Sequence, residues 1–169
     1  FLSSLKEPPV MPINYVCDMD GVIYHGSQLI PGALDFVGRL QRGGHRFLFL
    51  TNNSQWTPRD LKHKLEQMGI SVDESAFHTS ALATADFLSR QKPNGTAYVI
   101  GGAGLTYALY SVGYTLTEYN PDYVVVGETR SYDYEKIERA IRLILRGAKF
   151  IATNPDVTGP TETGITPAC

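Results

Sequence analysis

Short apolar runs alternate with longer segments of helical periodicity along most of the chain. Continuous apolar runs predict strands of a parallel sheet, and apolar residues that recur every three or four positions predict helices. Proline at the start of a segment and glycine after its end are typical helix boundaries. The first part of the chain is predicted to contain, in order, a strand at 13–17, a helix at 33–42, a strand at 47–50, a helix at 58–68, a short strand at 76–78 and a helix at 81–90.

The tripeptide Pro93-Asn94-Gly95 is the strongest interruption of this pattern. We therefore expect an N-terminal domain at 1–93 and a second domain at 94–169. The alternation resumes beyond the interruption, with strands and helices predicted in turn at 97–100, 103–112, 123–126, 134–146 and 150–153. The tail from residue 154 is rich in Thr, Gly and Pro and has no periodicity, so no element is predicted there.

Repeated strand–helix–strand units predict an α/β fold with right-handed crossovers and mostly parallel sheets. In such a fold the run Phe47–Leu50 suits a strand that is buried on both faces. The helix at 134–146 has an apolar stripe that we expect to face the core. This stripe consists of Ile137, Ala140, Ile141 and Ile144.

Composition excludes several classes of protein. The 169 residues include 15 Lys+Arg and 17 Asp+Glu, with a net charge of -2, so we expect no nucleic-acid surface. No apolar run reaches the roughly 18 residues of a membrane span, and residues 1–10 lack the features of a signal peptide. A cytoplasmic protein without a membrane partner is the default expectation. Cys17 and Cys169 do not suggest a disulfide framework.

Polar residues lie at the ends of the first two predicted long strands. Asp18 and Asp20 follow the first strand, and Thr51 ends the second. Ligands of open α/β sheets bind at the carboxyl ends of strands, and carboxylates at i and i+2 leave an extended segment on the same side. Two carboxylates so close to each other call for a cation, and oxygen ligands suit Mg²⁺. We therefore predict a Mg²⁺ site at Asp18 and Asp20.

This arrangement suits phosphoryl transfer, in which one carboxylate attacks phosphorus and the other handles the proton of the leaving group. Asp18 and Asp20 are the candidates for these two roles. Gly21 permits a positive φ or a close approach of the backbone to an anion. Thr51 and Asn52 can donate hydrogen bonds to phosphate oxygens.

Five sequence blocks, in order, resemble the NagD-type phosphatases of the haloacid dehalogenase (HAD) superfamily: VCDMDGVIYHG, LTNNS, TSALATADFL, NPDYVVVGETRSY and GAKFIATNPD. The resemblance implies a Rossmann-like core with an inserted α/β cap, which would begin near residue 94. It implies Asp18 as nucleophile and metal ligand, and Asp20 as general acid/base whose backbone carbonyl also binds Mg²⁺. Thr51 and Asn52 would bind the phosphate. Asn154 and Asp156, in a cap loop at 154–160, would sort substrates, although an ordinary turn is an equal interpretation of Asp156.

The same resemblance implies a Mg²⁺-dependent phosphatase that forms an aspartyl-phosphate. Nucleoside monophosphates such as UMP are the expected substrates, and phosphoglycolate, pyridoxal phosphate and 4-nitrophenyl phosphate are alternatives. Formation of a homo-oligomer through the cap is a further expectation. Glu128-Thr129-Arg130 is interpreted as a structural segment or an oligomer contact. Gly101-Gly102-Ala103-Gly104 is interpreted as a strand-to-helix turn, because Tyr107 replaces the last glycine of a dinucleotide motif.

The sequence departs from the family pattern in its second half. The family's third-motif lysine and fourth-motif acidic cluster are missing, and Lys149 precedes a cap-type strand and does not match that lysine. We therefore expect the chain to be the N-terminal part of a longer phosphatase, with an unfinished core sheet and little or no activity alone. The alternative from another class is a catalytically incomplete binding or assembly module.

Overall fold

The structure, a computed structural model, describes residues 13–131, 133–161 and 164–167. The segment 1–10 and Cys169, discussed above, lie outside these ranges. The described elements are β1 (Asn14–Asp18), β2 (Tyr24–His25), β3 (Gln28–Leu29), α1 (Ala33–Arg42), β4 (Arg46–Thr51), α2 (Pro58–Gln67), β5 (Phe77–Thr79), α3 (Ser80–Gln91), β6 (Thr96–Ile100), α4 (Ala103–Ser111), β7 (Thr115–Leu116), β8 (Tyr123–Val126), α5 (Tyr134–Leu145), β9 (Lys149–Ala152), β10 (Thr158–Thr161) and β11 (Gly164–Pro167).

The first sheet has the strand order β1-β4-β5 and is parallel throughout. Asp18 at the end of β1 is level with Leu50 of β4, so the polar ends of both strands lie at one edge of the sheet. Helices α1 and α2 pack on the face that carries Phe49, where Val37 and Leu61 belong to the same buried cluster.

The opposite face of this sheet is more exposed than the sequence predicted. Val16 of β1 and Leu50 of β4 lie on that face and are 65% and 39% exposed. The prediction that β4 is buried on both faces is therefore wrong for Leu50. An apolar run indicates that a strand can be buried. Which face of the strand is covered depends on how the neighbouring elements pack.

Helix α2 begins with a capping box. The Thr57 side chain accepts the N–H of Asp60, and the Asp60 carboxylate accepts the N–H of Thr57 in return. Pro58 occupies the first helical turn, where its missing N–H costs nothing. These contacts set where the loop after β4 ends and therefore help to position residues 52–56.

The second sheet has the order β7-β6-β8-β9, also parallel. Val125 of β8 and Leu105 of α4 are completely buried in one of its clusters. Helix α3 contributes Ala81 and Leu88 to that same cluster, and the Tyr114 hydroxyl donates to the Leu88 carbonyl at 2.8 Å. Helix α3 thus precedes the predicted domain boundary at 93/94 but packs with elements that follow it. The boundary itself stays a prediction.

Helix α5 presents a narrower face to its sheet than its apolar stripe suggested. Ala140 and Leu143 are buried and Ile144 packs beside them, whereas Ile137 and Ile141 are 43% and 53% exposed. The expectation that all four stripe residues face the core is therefore wrong for Ile137 and Ile141. At 3.6 residues per turn these two positions lie to one side of the contact face.

The predicted strands and helices are present, and three small features were not predicted. Strands β2 and β3 form a hairpin, β7 pairs at the edge of the second sheet, and β10 pairs with β11. The last hairpin lies in the tail for which no element was predicted. Such short pairings depend on turns and backbone hydrogen bonds, which apolar periodicity does not reveal. No helix in the described part of the chain is long and apolar enough to cross a membrane.

Candidate active site

The loop after β1 directs two carboxylates away from the core. Met19 is fully buried, and its carbonyl accepts the N–H groups of Val22, Ile23 and Tyr24. Because neighbouring side chains of an extended segment point to opposite sides, burial of Met19 turns Asp18 and Asp20 outward. The two aspartates predicted to form the site therefore share one exposed edge.

Gly21 makes the turn that follows, with a φ of +79° that favours glycine. Of the two properties that the sequence allowed for Gly21, a positive φ or a close approach to an anion, the structure shows the positive φ. The N–H of Gly21 donates to the Tyr24 carbonyl at 2.8 Å, so this N–H is already engaged within the loop. Its predicted role in phosphate binding remains a prediction.

Thr51 brings the end of β4 to the same point. Its side chain is 6% exposed, and its hydroxyl donates to Oδ2 of Asp20 over a long 3.5 Å. The same hydroxyl oxygen accepts the N–H of Asn53 at 3.1 Å. The sequence placed Asp20 and Thr51 at one edge, and the structure brings their side chains together.

The Asp20 carboxyl has a raised pKa. Desolvation is the largest cause and the nearby Asp18 adds to it, while the positive charge of Lys64 and the Thr51 hydrogen bond act in the opposite direction. Asp20 is exposed as a whole residue, but its carboxyl group is partly buried by neighbouring protein atoms. The pKa depends on the burial of the carboxyl group and not on that of the whole residue. The raised pKa favours the protonated form that a general acid requires.

Lys64 was not predicted as a site residue. Its Nζ lies 3.7 Å from the centroid of the Tyr24 ring, and Tyr24 is 2% exposed. Burial, with the charges of Asp20, Asp18 and Glu128, raises the pKa of the Tyr24 phenol. The Lys64 ammonium group on the Tyr24 ring therefore lies near these three carboxylates and partly neutralises their negative charge.

The predicted sorting loop contacts the predicted phosphate ligand. Nδ2 of Asn52 donates to Oδ2 of Asp156 at 3.3 Å, and Oδ1 of Asn154 accepts the N–H of Asp156 at 2.9 Å. The Asn52 carbonyl in turn accepts the Ser80 hydroxyl at 2.7 Å. Asn154 and Asp156 thus lie at the edge of the site, although they are about a hundred residues from Asn52 in the sequence.

Glu128 is a site residue that the sequence interpretation missed. It follows β8, is half-buried, and accepts a 2.8 Å hydrogen bond from Nδ2 of Asn53 at Oε2. Desolvation raises its pKa and the charge of Asp20 adds to the effect, so the two carboxylates interact electrostatically. The available signal was its position after a strand of the second sheet, the same signal that identified Asp18 after β1.

The two sheets approach each other closely beside Glu128. The completely buried Ser54 accepts both the Glu128 N–H at 2.8 Å and the Thr153 hydroxyl at 3.2 Å. The N–H of Gly104 donates to the Gln55 carbonyl at 2.8 Å. We call this contact, formed by residues 53–56 with Gly104, Gly127, Glu128 and Thr153, the seam. The glycine-rich segment before α4 is a strand-to-helix turn, as predicted.

The oxygen donors at this edge suit a hard cation that keeps water and phosphate ligands. Mg²⁺ needs only one or two carboxylates when the rest of its shell comes from water and substrate. Within the described ranges, no three His, Cys, Asp or Glu side chains are grouped so as to hold a metal ion. The oxygen atoms of Asp18 and Asp20 are of the kind that Mg²⁺ prefers, and the Mg²⁺ site stays a prediction.

The fold and site together define an α/β protein with two carboxylates at the carboxyl edge of a parallel sheet. The chain belongs to the haloacid dehalogenase-like hydrolases, whose sequence profile matches residues 15–115, and it is similar to the NagD-type phosphatases among them.

Three relatives are all phosphatases. Dihydroxyacetone phosphatase of Corynebacterium glutamicum (strain R) is 52% identical over 156 residues, which cover 92% of this chain and 57% of that protein. Ribonucleotide monophosphatase NagD of Escherichia coli (strain K12) is 44% identical over 156 residues, covering 92% and 61%. The structure of 4-nitrophenylphosphatase from Thermotoga maritima superimposes with a TM-score of 0.86 at 34% identity, covering 92% and 59%. The chain thus spans about three-fifths of the length of these relatives.

Proposed function

We propose that the protein containing this chain is a Mg²⁺-dependent phosphatase that hydrolyses small phosphomonoesters through an aspartyl-phosphate. The observation that carries the proposal is the meeting of Asp18, Asp20 and Thr51 at one edge of the first sheet. The phosphatase relatives support the reaction class. The substrates of the whole protein are part of this proposal.

Asp18 is the proposed nucleophile. Its Oδ1 accepts the Met19 N–H at 2.8 Å, which orients the carboxylate and leaves Oδ2 to attack. Attack forms the bond from Oδ2 to phosphorus and breaks the bond from phosphorus to the ester oxygen. Water then attacks the phosphoryl group, releases inorganic phosphate and restores the Asp18 carboxylate.

Asp20 is the proposed general acid and base. It gives its proton to the departing ester oxygen and then takes a proton from the attacking water. An ordinary Asp has a pKa of about 3.9, so holding its proton at pH 7 would cost about 4 kcal/mol. The desolvation that raises the pKa of Asp20 reduces this cost.

The Asp18 carboxylate, with the backbone carbonyl of Asp20, would hold the metal ion. Mg²⁺, when bound there, supplies positive charge that offsets the charge of the phosphate oxygens. Thr51 and Asn52 are the proposed donors to the phosphate, and Gly21, in the turn after Asp20, is the third residue proposed to bind it. Asn154 and Asp156 are proposed to contact the leaving group from the second domain, which would serve as a cap.

Nucleoside monophosphates such as UMP are the proposed substrates. The NagD relative acts on ribonucleotide monophosphates by name, which supports this choice. The alternatives are phosphoglycolate, pyridoxal phosphate and 4-nitrophenyl phosphate. A homo-oligomer formed through the cap is also proposed.

The test uses the full-length protein and its Asp18→Asn variant. The variant should lose phosphate release from UMP while its unfolding transition stays close to that of the wild type. Hydroxylamine should cleave a phosphoryl group from the wild type after substrate addition, because it attacks acyl phosphates, and should find none on the variant. Asp35→Asn is the matched control, since Asp35 lies in exposed ion pairs on α1.

Turnover that persists in a metal chelator, or an active Asp18→Asn variant, would refute the proposal. Phosphatase activity from the isolated 169-residue chain would refute the separate expectation that this piece is a catalytically incomplete binding module.

A further inference from the structure

Glu128 has a defined position at the site but no part in the proposed chemistry. Its carboxylate reaches the site from the second sheet, 75 residues along the chain from the Asn53 amide that holds it. Asp18, Asp20 and Glu128 are not grouped so as to share one metal ion. We therefore consider contacts that Glu128 could make with the substrate.

The backbone of Glu128 is held at two points. Its N–H donates to the buried Ser54 hydroxyl at 2.8 Å, and its carbonyl accepts the N–H of Gly102 at 3.2 Å. Asn53 binds Oε2 at 2.8 Å and is itself held, because its Oδ1 accepts the N–H of Gln55 at 2.9 Å. The position of this negative charge is therefore set before any substrate arrives.

The position of Glu128 relative to Asp20 indicates which part of a substrate the Glu128 carboxylate would contact. Asp20 protonates the departing ester oxygen in the proposed reaction, so groups around Asp20 surround the leaving group. Asn53, which binds the Glu128 carboxylate, donates its backbone N–H to the Thr51 hydroxyl at 3.1 Å. That hydroxyl donates in turn to Asp20 at 3.5 Å, so Glu128 lies among those groups. A half-buried carboxylate accepts a hydrogen bond from a hydroxyl and repels another carboxylate.

We propose that the Glu128 carboxylate, fixed by Asn53 and Ser54 beside Asp20, selects substrates by the charge of the leaving group. It favours uncharged hydroxylated leaving groups, such as those of sugar, glycerol or nucleoside phosphates, and disfavours leaving groups with a carboxylate, such as phosphoglycolate. This inference rests on the proposed phosphatase function and narrows its substrate class.

The test compares two substrates in the full-length protein and its Glu128→Gln variant. Glutamine keeps the shape and can still accept the Asn53 hydrogen bond, but it has no charge. The ratio of kcat/KM for phosphoglycolate to that for glycerol phosphate should rise about tenfold in the variant, which corresponds to about 1.4 kcal/mol. Most of the change should come from a lower KM for phosphoglycolate.

Two controls separate this role from others. Glu135→Gln removes the same charge from an exposed position on α5 and should leave the ratio unchanged. Inhibition by inorganic phosphate, which has no leaving group, and the Mg²⁺ concentration for half-maximal activity should both be the same in the wild type and Glu128→Gln.

Each other outcome overturns the inference. An unchanged ratio means that Glu128 does not sort leaving groups, and an equal loss on both substrates means that its role is structural. A shift in phosphate inhibition or in the Mg²⁺ requirement assigns the charge to the phosphate or metal site. If the wild type hydrolyses neither ester nor UMP, the proposed function itself fails, and this result is distinct from all the others.

Discussion

Replacement of Gly104 by alanine tests how closely the seam is packed. A Cβ at this position would lie 2.4 Å from the Trp56 carbonyl oxygen and 2.8 Å from that of Ser54. Ordinary contact begins near 3.4 Å, so the two backbones would have to separate by about 1 Å. Both obstacles are main-chain atoms and cannot rotate away.

The expected net effect of Gly104→Ala is destabilisation. Overpacking costs about 1–3 kcal/mol, and loss of the hydrogen bond from Gly104 to Gln55 costs about 1 kcal/mol more. The helix propensity of alanine returns about 1 kcal/mol. The balance of about 1–3 kcal/mol corresponds to a Tm lowered by about 2–4 °C per kcal/mol in a protein of 150–250 residues, and by less in a longer one.

Gly38→Ala on α1 is the matched control. There the added Cβ would meet only the end of the Arg42 side chain, which is exposed and free to move. This variant should gain about 0.5–1 kcal/mol from helix propensity alone. Urea unfolding of both variants of the full-length protein measures the difference. If Gly104→Ala proved as stable as Gly38→Ala, the close approach of the two sheets would be refuted.

Three further predictions concern single contacts. Asp122 accepts hydrogen bonds from both the N–H and the hydroxyl of Thr96. The pKa of its carboxyl group is lowered, mainly by the hydrogen bond from Lys92. This carboxylate therefore stabilises the fold above its unfolded pKa of about 3.9, and the stabilisation is lost as the pH falls through the lower pKa of the folded state. Asp122→Asn should therefore lose about 1 kcal/mol of unfolding free energy at pH 7, and a deficit that stayed the same below pH 3.8 would contradict this reasoning. Ser54→Ala leaves the Glu128 N–H without its acceptor and should cost about 1–3 kcal/mol in urea unfolding, and an unchanged midpoint would contradict the seam contact. Thr57→Ala removes the N-cap of α2 and should cost about 1 kcal/mol by the same measurement, whereas Thr57→Ser, which keeps the hydroxyl, should cost much less.

The carboxylate pair could be predicted because its determinants are local. An apolar strand followed by Asp18, a buried Met19 and Asp20 sets the direction of both side chains within a few residues. Thr51 could be placed beside them because parallel strands end at the same edge of a sheet.

Glu128 and Lys64 could not be placed from the sequence. Each reaches the site through contacts between elements: Glu128 through Asn53 and Ser54, and Lys64 through the Tyr24 ring. A charged residue in a helix such as α2 is ordinarily exposed to solvent. The position of Lys64 in the helical pattern does not show that its side chain contacts the buried Tyr24.

The sequence by itself determined the order of the longer strands and helices, the parallel α/β class and the two aspartates after the apolar run of β1. These follow from periodicity and from alternation along one segment, where each residue constrains its immediate neighbours. The tertiary structure alone decided that Leu50, Ile137 and Ile141 are exposed, that α3 packs with the second sheet, and that Glu128 is connected to Asp20 through Asn53 and Thr51. Burial and charge interaction depend on which surfaces meet in space, and the hydrogen bonds that join Asn53 and Ser54 to Glu128 and Thr153 connect residues 74 to 99 positions apart in the chain.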